Sequence, residues 1–284
     1  MAARPLRLAS SILLALSVAC AKSEPPKTEA AAPPAPPAGP NVVEVVATDF
    51  AYSMPDTLPA GPTTFHLVNQ GPAIHQIQLI WLGEGKTMAD FAKVNLDKGP
   101  PPSWIVFVGG PNSPVPGKSS DGTVDLTPGS YVVLCGIPAP DGVPHVAKGM
   151  IHGLTVVPSD VKRAMPEPDI TLTLSDYSFT FSKPLTAGKH LIKVENNAQQ
   201  PHEVFIGLLP PGKKVADLPV WVFKQQGPPP VMPLGGTTMI GPGGTNIVSV
   251  ELTPGEYGLW CFFPDAKDGK PHFAHGMMQQ ITVQ

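Results

Sequence analysis

The sequence predicts an all-β protein built from two tandem Greek-key domains of the sandwich or barrel type, preceded by a leader and a tether. Only 14% of the 284 residues are charged, while 38 are proline and 28 are glycine, which favours short strands joined by turns over surface helices. Apolar and polar residues alternate along several segments. The second half of the chain repeats the first, so each copy is expected to bury a core of its own.

The leader comprises residues 1–20, MAARPLRLASSILLALSVAC. Its apolar run from Leu8 to Ala19 follows two arginines and is too short to span a bilayer, which is typical of a secretory signal peptide. The segment resembles the lipobox of bacterial lipoproteins, although Ser17 stands where leucine is usual. The resemblance implies that Cys20 is lipidated. The alternative is ordinary cleavage nearby, which would leave Cys20 as an incidental thiol.

The tether comprises residues 21–40, which are dominated by proline and alanine and lack apolar periodicity. Such a segment cannot form a core and is expected to be disordered, extended and semi-rigid. We therefore expect an exported protein that is lipid-anchored on the periplasmic side of a bacterial membrane, as an outer-membrane lipoprotein. The formal charge of −3 and the lack of a basic cluster exclude nucleic acid as a partner.

The repeat sets the domain boundaries. The stretch ATDFAYSMPDTLPAGPTTFHLVN, from Ala47, matches LSDYSFTFSKPLTAGKHLIKVEN, from Leu174, so that Asp49 corresponds to Asp176, 127 positions later. Near the end of each copy, DLTPGSYVVLC matches ELTPGEYGLWC. We predict domain 1 at residues 41–158, a linker at 159–167 and domain 2 at 168–284.

Each copy contains about seven or eight strand-like segments bounded by turn residues, as Greek-key domains do. In one of them Val248, Val250 and Leu252 occupy alternate positions, which is the period of a strand with one buried face. The stretch TMADFAKV is predicted to be a short helix, because Thr87 and Asp90 have the spacing of a capping box.

Two cysteines remain besides Cys20, and they occupy equivalent positions in the two copies. Cys135 and Cys261 are 126 positions apart. Neither copy has a second thiol for an internal disulfide, and the repeat geometry does not favour a bond between the copies. Metal ligation would explain two unpaired cysteines in an exported protein.

Each of these cysteines is followed by a histidine and a methionine, and a further histidine lies upstream at the start of a predicted strand. Two imidazoles and a thiolate with a long axial thioether form the blue-copper arrangement. A four-residue set that recurs in register is stronger evidence than any single member. The predicted metal ligands are His75, Cys135, His145 and Met150 in domain 1, and His202, Cys261, His272 and Met277 in domain 2.

These features resemble the cupredoxin family over residues 41–284. The resemblance is carried by an asparagine ahead of the first histidine (Asn69, Asn196), by the PG-x-Y-x3-C strand and by the His-x4-Met loop. It implies two cupredoxin-like domains with one type-1 copper each, up to two per chain. The long loop between cysteine and histidine most resembles the first domain of copper nitrite reductases, which also have two such domains.

The residues before the two cysteines argue against an enzyme. Copper nitrite reductases need a histidine immediately before the type-1 cysteine and multicopper oxidases need His-Cys-His, but this chain has Leu134 and Trp260 there. No Ser/His/Asp or paired-carboxylate arrangement is visible in the sequence. We therefore expect an electron-transfer protein with a redox partner protein in the cell envelope and no small-molecule substrate.

Two alternatives remain. The chain could handle copper as a storage protein or chaperone, or it could be a metal-free cupredoxin-like binding module that keeps the cysteines and methionines as core residues. Four histidines do not recur in register. His152 and His275 are expected to be exposed side chains, with a role as alternative metal ligands as the other possibility, and no role is assigned to His66 and His190.

Overall fold

Strands make up almost all of the regular structure in the computed structural model, which describes residues 37–94, 101–224 and 229–284. The predicted signal peptide, its Cys20 and most of the tether lie outside these residues. The first half contains β1 (Asn41–Thr48), β2 (Ala51–Ser53), β3 (Thr57–Pro59), β4 (Gly61–Asn69), β5 (Gln78–Leu82), β6 (Ile105–Gly109), β7 (Ser119–Leu126), β8 (Gly129–Leu134) and β9 (Ile151–Val157). The second half contains β10 (Ile170–Ser175), β11 (Ser178–Phe181), β12 (Gly188–Asn196), β13 (His202–Leu209), β14 (Met232–Ile240), β15 (Thr245–Leu252), β16 (Gly255–Trp260) and β17 (Met278–Val283). The predicted all-β class is confirmed.

The alternation of residues along the strands determines which side chains lie in the core and which lie at the surface. In β1, Val43, Val45 and Ala47 are buried, whereas Val42 and Glu44 are exposed. Successive side chains of a strand point to opposite faces, so this pattern buries one face of the sheet. Burial of that apolar face contributes about 25 cal/mol per Å² removed from water.

The strands form two mixed sheets, and each sheet runs through both halves of the chain. The order is β11-β10-β12-β15-β7-β4-β1-β2 in one sheet and β17-β16-β13-β14-β6-β5-β8-β9-β3 in the other. The halves join where β7 pairs with β15 and β6 pairs with β14, both antiparallel. Residues 37–284 are therefore one compact unit, although each half keeps its own core between the sheets.

Two short helices lie outside the sheets. Helix α1 (Met88–Phe91) confirms the predicted capping box, since Thr87 Oγ1 accepts from the Asp90 N–H and the Asp90 carboxylate accepts from the Thr87 N–H. Helix α2 (Asp217–Lys224) was not predicted from the sequence. It contains Pro219 near its start, where a proline costs no helical hydrogen bond. Among the described residues, no helix is long and apolar enough to cross a bilayer.

The two upstream histidines differ in their local structure. His202 is the first residue of β13, as expected, but His75 precedes β5, which begins only at Gln78. The expectation of a strand at His75 was wrong because the intervening backbone is bonded elsewhere. The Ile77 N–H donates to Pro111 O at 3.1 Å, and Ile77 O accepts from Thr238 Oγ1 at 2.8 Å.

Asn246 holds the junction between the halves together. Its side-chain oxygen accepts from the Gly110 N–H at 2.9 Å and from Thr237 Oγ1 at 2.6 Å, while its amide donates to Val108 O at 2.8 Å. Asn246 is fully buried, so these partners have no access to water as a substitute. The neighbouring Gly109 has φ 94°, and a Cβ there would lie 2.0 Å from Asn246 Oδ1.

We expect Asn246→Ala to lower the free energy of unfolding by about 2–4 kcal/mol, because it leaves buried donors and acceptors of both halves unpaired. Urea denaturation followed by circular dichroism would measure the loss. Asn41→Ala is the matched control, since the half-buried Asn41 makes one long contact, 3.4 Å to Thr63, and should cost no more than about 1 kcal/mol. Equal losses in both variants would contradict the structural role of Asn246.

Candidate metal centres

The first candidate centre gathers three of the predicted domain 1 ligands. Cys135 directly follows β8, His145 begins a 3-10 turn (His145–Lys148), and His75 lies in the segment before β5. The Nδ1 atoms of His75 and His145 are 3.2 Å apart, and His145 Nδ1 is 3.5 Å from Cys135 Sγ. All three side chains are buried, and their potential ligand atoms lie within 4.8 Å of one another.

The second candidate centre repeats this arrangement in domain 2. Cys261 directly follows β16, and His272 begins the equivalent 3-10 turn (His272–His275). Cys261 Sγ lies 3.3 Å from His272 Nδ1 and 3.8 Å from His202 Nδ1. These three side chains are also buried, with their ligand atoms within 4.8 Å. In each domain, the fold therefore brings the three residues of the predicted His-Cys-His set together.

The methionines lie beside their cysteines in the two cores. Met150 and Met277 are fully buried, and each belongs to the same apolar cluster as the cysteine of its domain. The Cys135 N–H donates to Met150 O at 3.2 Å, and the Cys261 N–H donates to Met277 O at 3.1 Å. Their ligation through sulfur stays a prediction.

A left-handed glycine turns each loop back towards its cysteine. Gly149 has φ 108° and Gly276 has φ 100°, and each ends the 3-10 turn that begins at the loop histidine. A residue with a Cβ is strained in this region of φ, whereas glycine is not. The next residue is the methionine, whose N–H bonds the histidine carbonyl at 3.0 Å in both domains.

Burial sets the protonation of these groups before any metal binds. It raises the pKa of the Cys135 thiol to about 11 and raises that of Cys261 further. Burial also lowers the pKa values of the four imidazoles, that of His272 to about 4. The imidazoles are therefore neutral donors near pH 7, while each thiol must lose its proton to solvent before its sulfur can bind a metal.

Sequence reasoning missed one carboxylate in each centre. Asp49 Oδ1 lies 3.0 Å from His75 Nε2, and Asp176 Oδ1 lies 3.0 Å from His202 Nε2. An ionised carboxylate only accepts, so Nε2 carries the hydrogen and Nδ1 keeps a lone pair for the metal. Asp49 and Asp176 are 127 positions apart, which is the spacing at which the predicted histidine ligands recur. This shared spacing was the sequence feature that could have indicated their role.

The same hairpin turns deliver an aromatic ring to the other histidine. Phe50 and Tyr177 follow the two aspartates and have φ 64° and 63°, a conformation that costs non-glycine residues about 1 kcal/mol or more. The Phe50 ring centroid lies 5.1 Å from that of His145, and the Tyr177 centroid lies 5.6 Å from that of His272. Each ring therefore packs against a predicted ligand.

The unassigned histidines pair with aspartates outside the two centres. The pairs are His66 with Asp121, His152 with Asp56, His190 with Asp169 and His275 with Asp268. Asp268 and His275 also lie within 4.8 Å of Asp265. The hydrogen bond from Tyr177 holds the pKa of Asp265 well below its usual range, so this carboxylate is ionised near pH 7.

The residues before the cysteines are buried and apolar. Leu134 packs in a core cluster, and Trp260 is fully buried with its indole N–H donating to Val215 O at 2.9 Å. Neither offers a ligand to a second metal.

No family model and no curated protein matches the chain. Among solved structures it is similar to an auracyanin from Roseiflexus castenholzii (27% identity, TM-score 0.30, covering 43% of this chain and 99% of that one). It is also similar to a multicopper oxidase (16% identity, TM-score 0.27, covering 86% of this chain and 88% of that one). A third similar structure is a copper nitrite reductase from Nitrosomonas europaea (14% identity, TM-score 0.24, covering 86% of this chain and 93% of that one). The names of the last two identify them as copper proteins. At such TM-scores, the fold assignment rests on the strand order of this chain.

We expect the metal-free protein to lose stability as the pH falls from about 6.5 towards 4. The folded pKa values of the centre histidines lie below the unfolded value, so the unfolded state binds more protons in this window. Urea denaturation at several pH values should show a shallower acid dependence in His272→Gln than in the wild type.

His190→Gln is the matched control for that experiment. The hydrogen bond to Asp169 raises the pKa of His190, so this group stabilises the fold below its unfolded pKa, and the stability is lost as pH rises through the folded pKa. Its removal should therefore make the acid dependence steeper. If the free energy of unfolding depended on pH in the same way in both variants and the wild type, the pKa shifts assigned to His272 and His190 would be contradicted.

Proposed function

We propose that this chain is a copper-binding electron-transfer protein with one type-1 copper in each domain. The observation that carries the proposal is the pair of buried His-Cys-His sets, each with its ligand atoms within 4.8 Å. Two imidazoles and a thiolate suit copper, and the adjacent buried methionines are available as weak axial ligands. Bound copper would supply a one-electron Cu(II)/Cu(I) couple, while the chain orients the donors and excludes water.

The surroundings of the cysteines favour a carrier over an enzyme. Similar folds occur in enzymes as well as carriers, so the fold alone does not show whether this protein is catalytic. Leu134 and Trp260 fill the positions from which a second copper would need an imidazole. Strand ends and tight loops fix the donors, which limits rearrangement between oxidation states. We therefore propose no small-molecule substrate and a redox partner protein.

Burial also weighs against copper storage or delivery. A chaperone passes its ion to another protein by exchanging ligands, which requires accessible donors. Here Cys135 and Cys261 are fully buried, and the four histidines are at most 1% exposed. Electrons can reach a buried centre without ligand exchange. A metal-free module would likewise gain nothing from two imidazoles held beside a thiol.

We expect the copper-loaded protein to hold two coppers per chain and to show the intense visible band of a Cu(II)–thiolate centre. Cys135→Ser and Cys261→Ser should each remove one copper and about half of the band, because each removes the only thiolate of its centre. Metal analysis with an absorption spectrum measures both. Cys20→Ser is the matched control and should keep both coppers. Full loading in either centre variant would refute that centre, and a colourless oxidised protein would favour storage or a metal-free module.

We also propose that the protein is a lipoprotein of the bacterial cell envelope, anchored through Cys20 with residues 21–40 as the tether. The support is the sequence of residues 1–40. Cys20→Ser should move the protein from the membrane fraction to the soluble fraction, because the lipid attachment site is lost. Immunoblots of fractionated cells would measure this, with Cys135→Ser as the control that stays on the membrane. Equal membrane association of both variants would rule out the anchor.

A further inference from the structure

The two centres have equivalent ligands but different surroundings. Each first histidine has its aspartate at 3.0 Å, so these carboxylates affect both centres alike. Each loop also has one lysine–aspartate pair, since Lys148 lies 2.5 Å from Asp141 and Lys270 lies 3.1 Å from Asp268. What remains are differences close to the donors.

One difference is a buried carboxylate in domain 2. Asp265 occupies the position held by Ala139 in domain 1, four residues after the cysteine in both loops. Its side chain is 1% exposed, and Oδ2 lies 3.7 Å from His272 Nε2. That nitrogen has no hydrogen-bond partner among the described residues. The carboxylate is therefore an uncompensated negative charge beside a predicted ligand.

Hydrogen bonds hold this carboxylate in place. Asp265 Oδ2 accepts from Tyr177 Oη at 2.5 Å and from Gln200 Nε2 at 3.0 Å, and Oδ1 accepts from the Lys267 N–H at 2.8 Å. None of these donors carries a formal charge at the bonding atom, so they fix the carboxylate without neutralising it. At low solvent exposure its field on the centre is poorly screened.

Negative charge near a centre stabilises Cu(II) and lowers its reduction potential. We infer that the domain 1 centre has the higher potential, so that an electron received by domain 2 passes to domain 1. This inference rests on the proposed function. One copper is oxidised as the other is reduced, and no proton or further reactant is needed.

A hydrogen bond at the junction connects the two centres. Thr238 Oγ1, in domain 2, donates to Ile77 O at 2.8 Å, and Ile77 lies two residues after His75. On the other side, Ile240 pairs with His202 in the β13–β14 ladder and lies two residues after Thr238. One interdomain hydrogen bond thus links the backbone segments that carry a predicted ligand of each centre.

The test compares the two centres in isolation. Cys261→Ser keeps only the domain 1 centre, and Cys135→Ser keeps only the domain 2 centre. Spectroelectrochemical titration should show at least a tenfold equilibrium preference of the electron for domain 1, which is about 59 mV for a one-electron couple. Equal potentials, or a higher potential in domain 2, would overturn the inference. If either variant folds poorly, half-reduction of the two-copper wild type decides, because the domain 2 copper should then remain oxidised.

Further variants assign the difference to its cause. Asp265→Asn should raise the domain 2 potential. Asp268→Asn is the matched control, because its carboxylate lies on the same loop but pairs with Lys270 and His275. Glu203 is a second buried carboxylic acid, directly after His202, where domain 1 has Gln76, so Glu203→Gln is measured in parallel. A difference that vanishes only in Glu203→Gln would contradict the assignment to Asp265.

A metal-free readout separates this inference from the proposed function. In the metal-free protein, Asp265→Asn should lower the pKa of the His272 ring measured by NMR, because the neighbouring negative charge is gone, while Asp268→Asn should change it little. If the wild type shows no copper band, the proposed function fails. The field at His272 is still measured by this titration, and an unchanged value would refute the charge asymmetry.

Discussion

The backbone hydrogen bond from each cysteine to the methionine beyond its loop is the constraint on which both centres depend. It joins the end of one strand to the start of the next at 3.2 Å in domain 1 and 3.1 Å in domain 2. The loops differ in length by one residue, and the extra residue is accommodated inside the outer turn. There Ala139 N bonds Val143 O in one domain and Asp265 N bonds Lys270 O in the other. The ligand positions are therefore independent of what the outer turn contains.

This separation explains how the outer turn of domain 2 can carry a buried aspartate without disturbing the donors. The frame of each centre consists of strand ends, a 3-10 turn and a left-handed glycine, all fixed by backbone bonds. Side chains outside that frame are free to set charge and hydrogen bonding. In the proposed function, different residues of one short loop would thus set the ligand geometry and the potential.

Much of the candidate site could be predicted because each copy of the repeat can be checked against the other. Cys135 and Cys261 occupy equivalent positions, and the predicted ligand histidines recur in the same register. The role of Asp49 could not be predicted, because its contact with His75 bridges 26 residues through a turn whose left-handed Phe50 has no sequence signature. Tertiary packing, and not local propensity, decides such contacts.

The fold was predicted in its class but not in its connectivity between halves. Alternation indicates which strands have one buried face, yet it does not reveal which strand lies at an edge. Helix α2 was missed because its Pro219 resembles a breaker, and the irregular segment at His75 because its partners, Pro111 and Thr238, are distant in sequence. The domain boundaries at residues 158 and 168 stay predictions.

Continuous sheets have a consequence for how such a chain could be divided. A half on its own would expose two rows of unpaired backbone groups, along β6 and β7 or along β14 and β15. Exposed strand edges recruit other strands. One half expressed on its own would therefore associate through its exposed strand edges, either with itself or with the complementary half. Fusion of the two copies into one polypeptide supplies each half with its partner at a fixed ratio and at high local concentration.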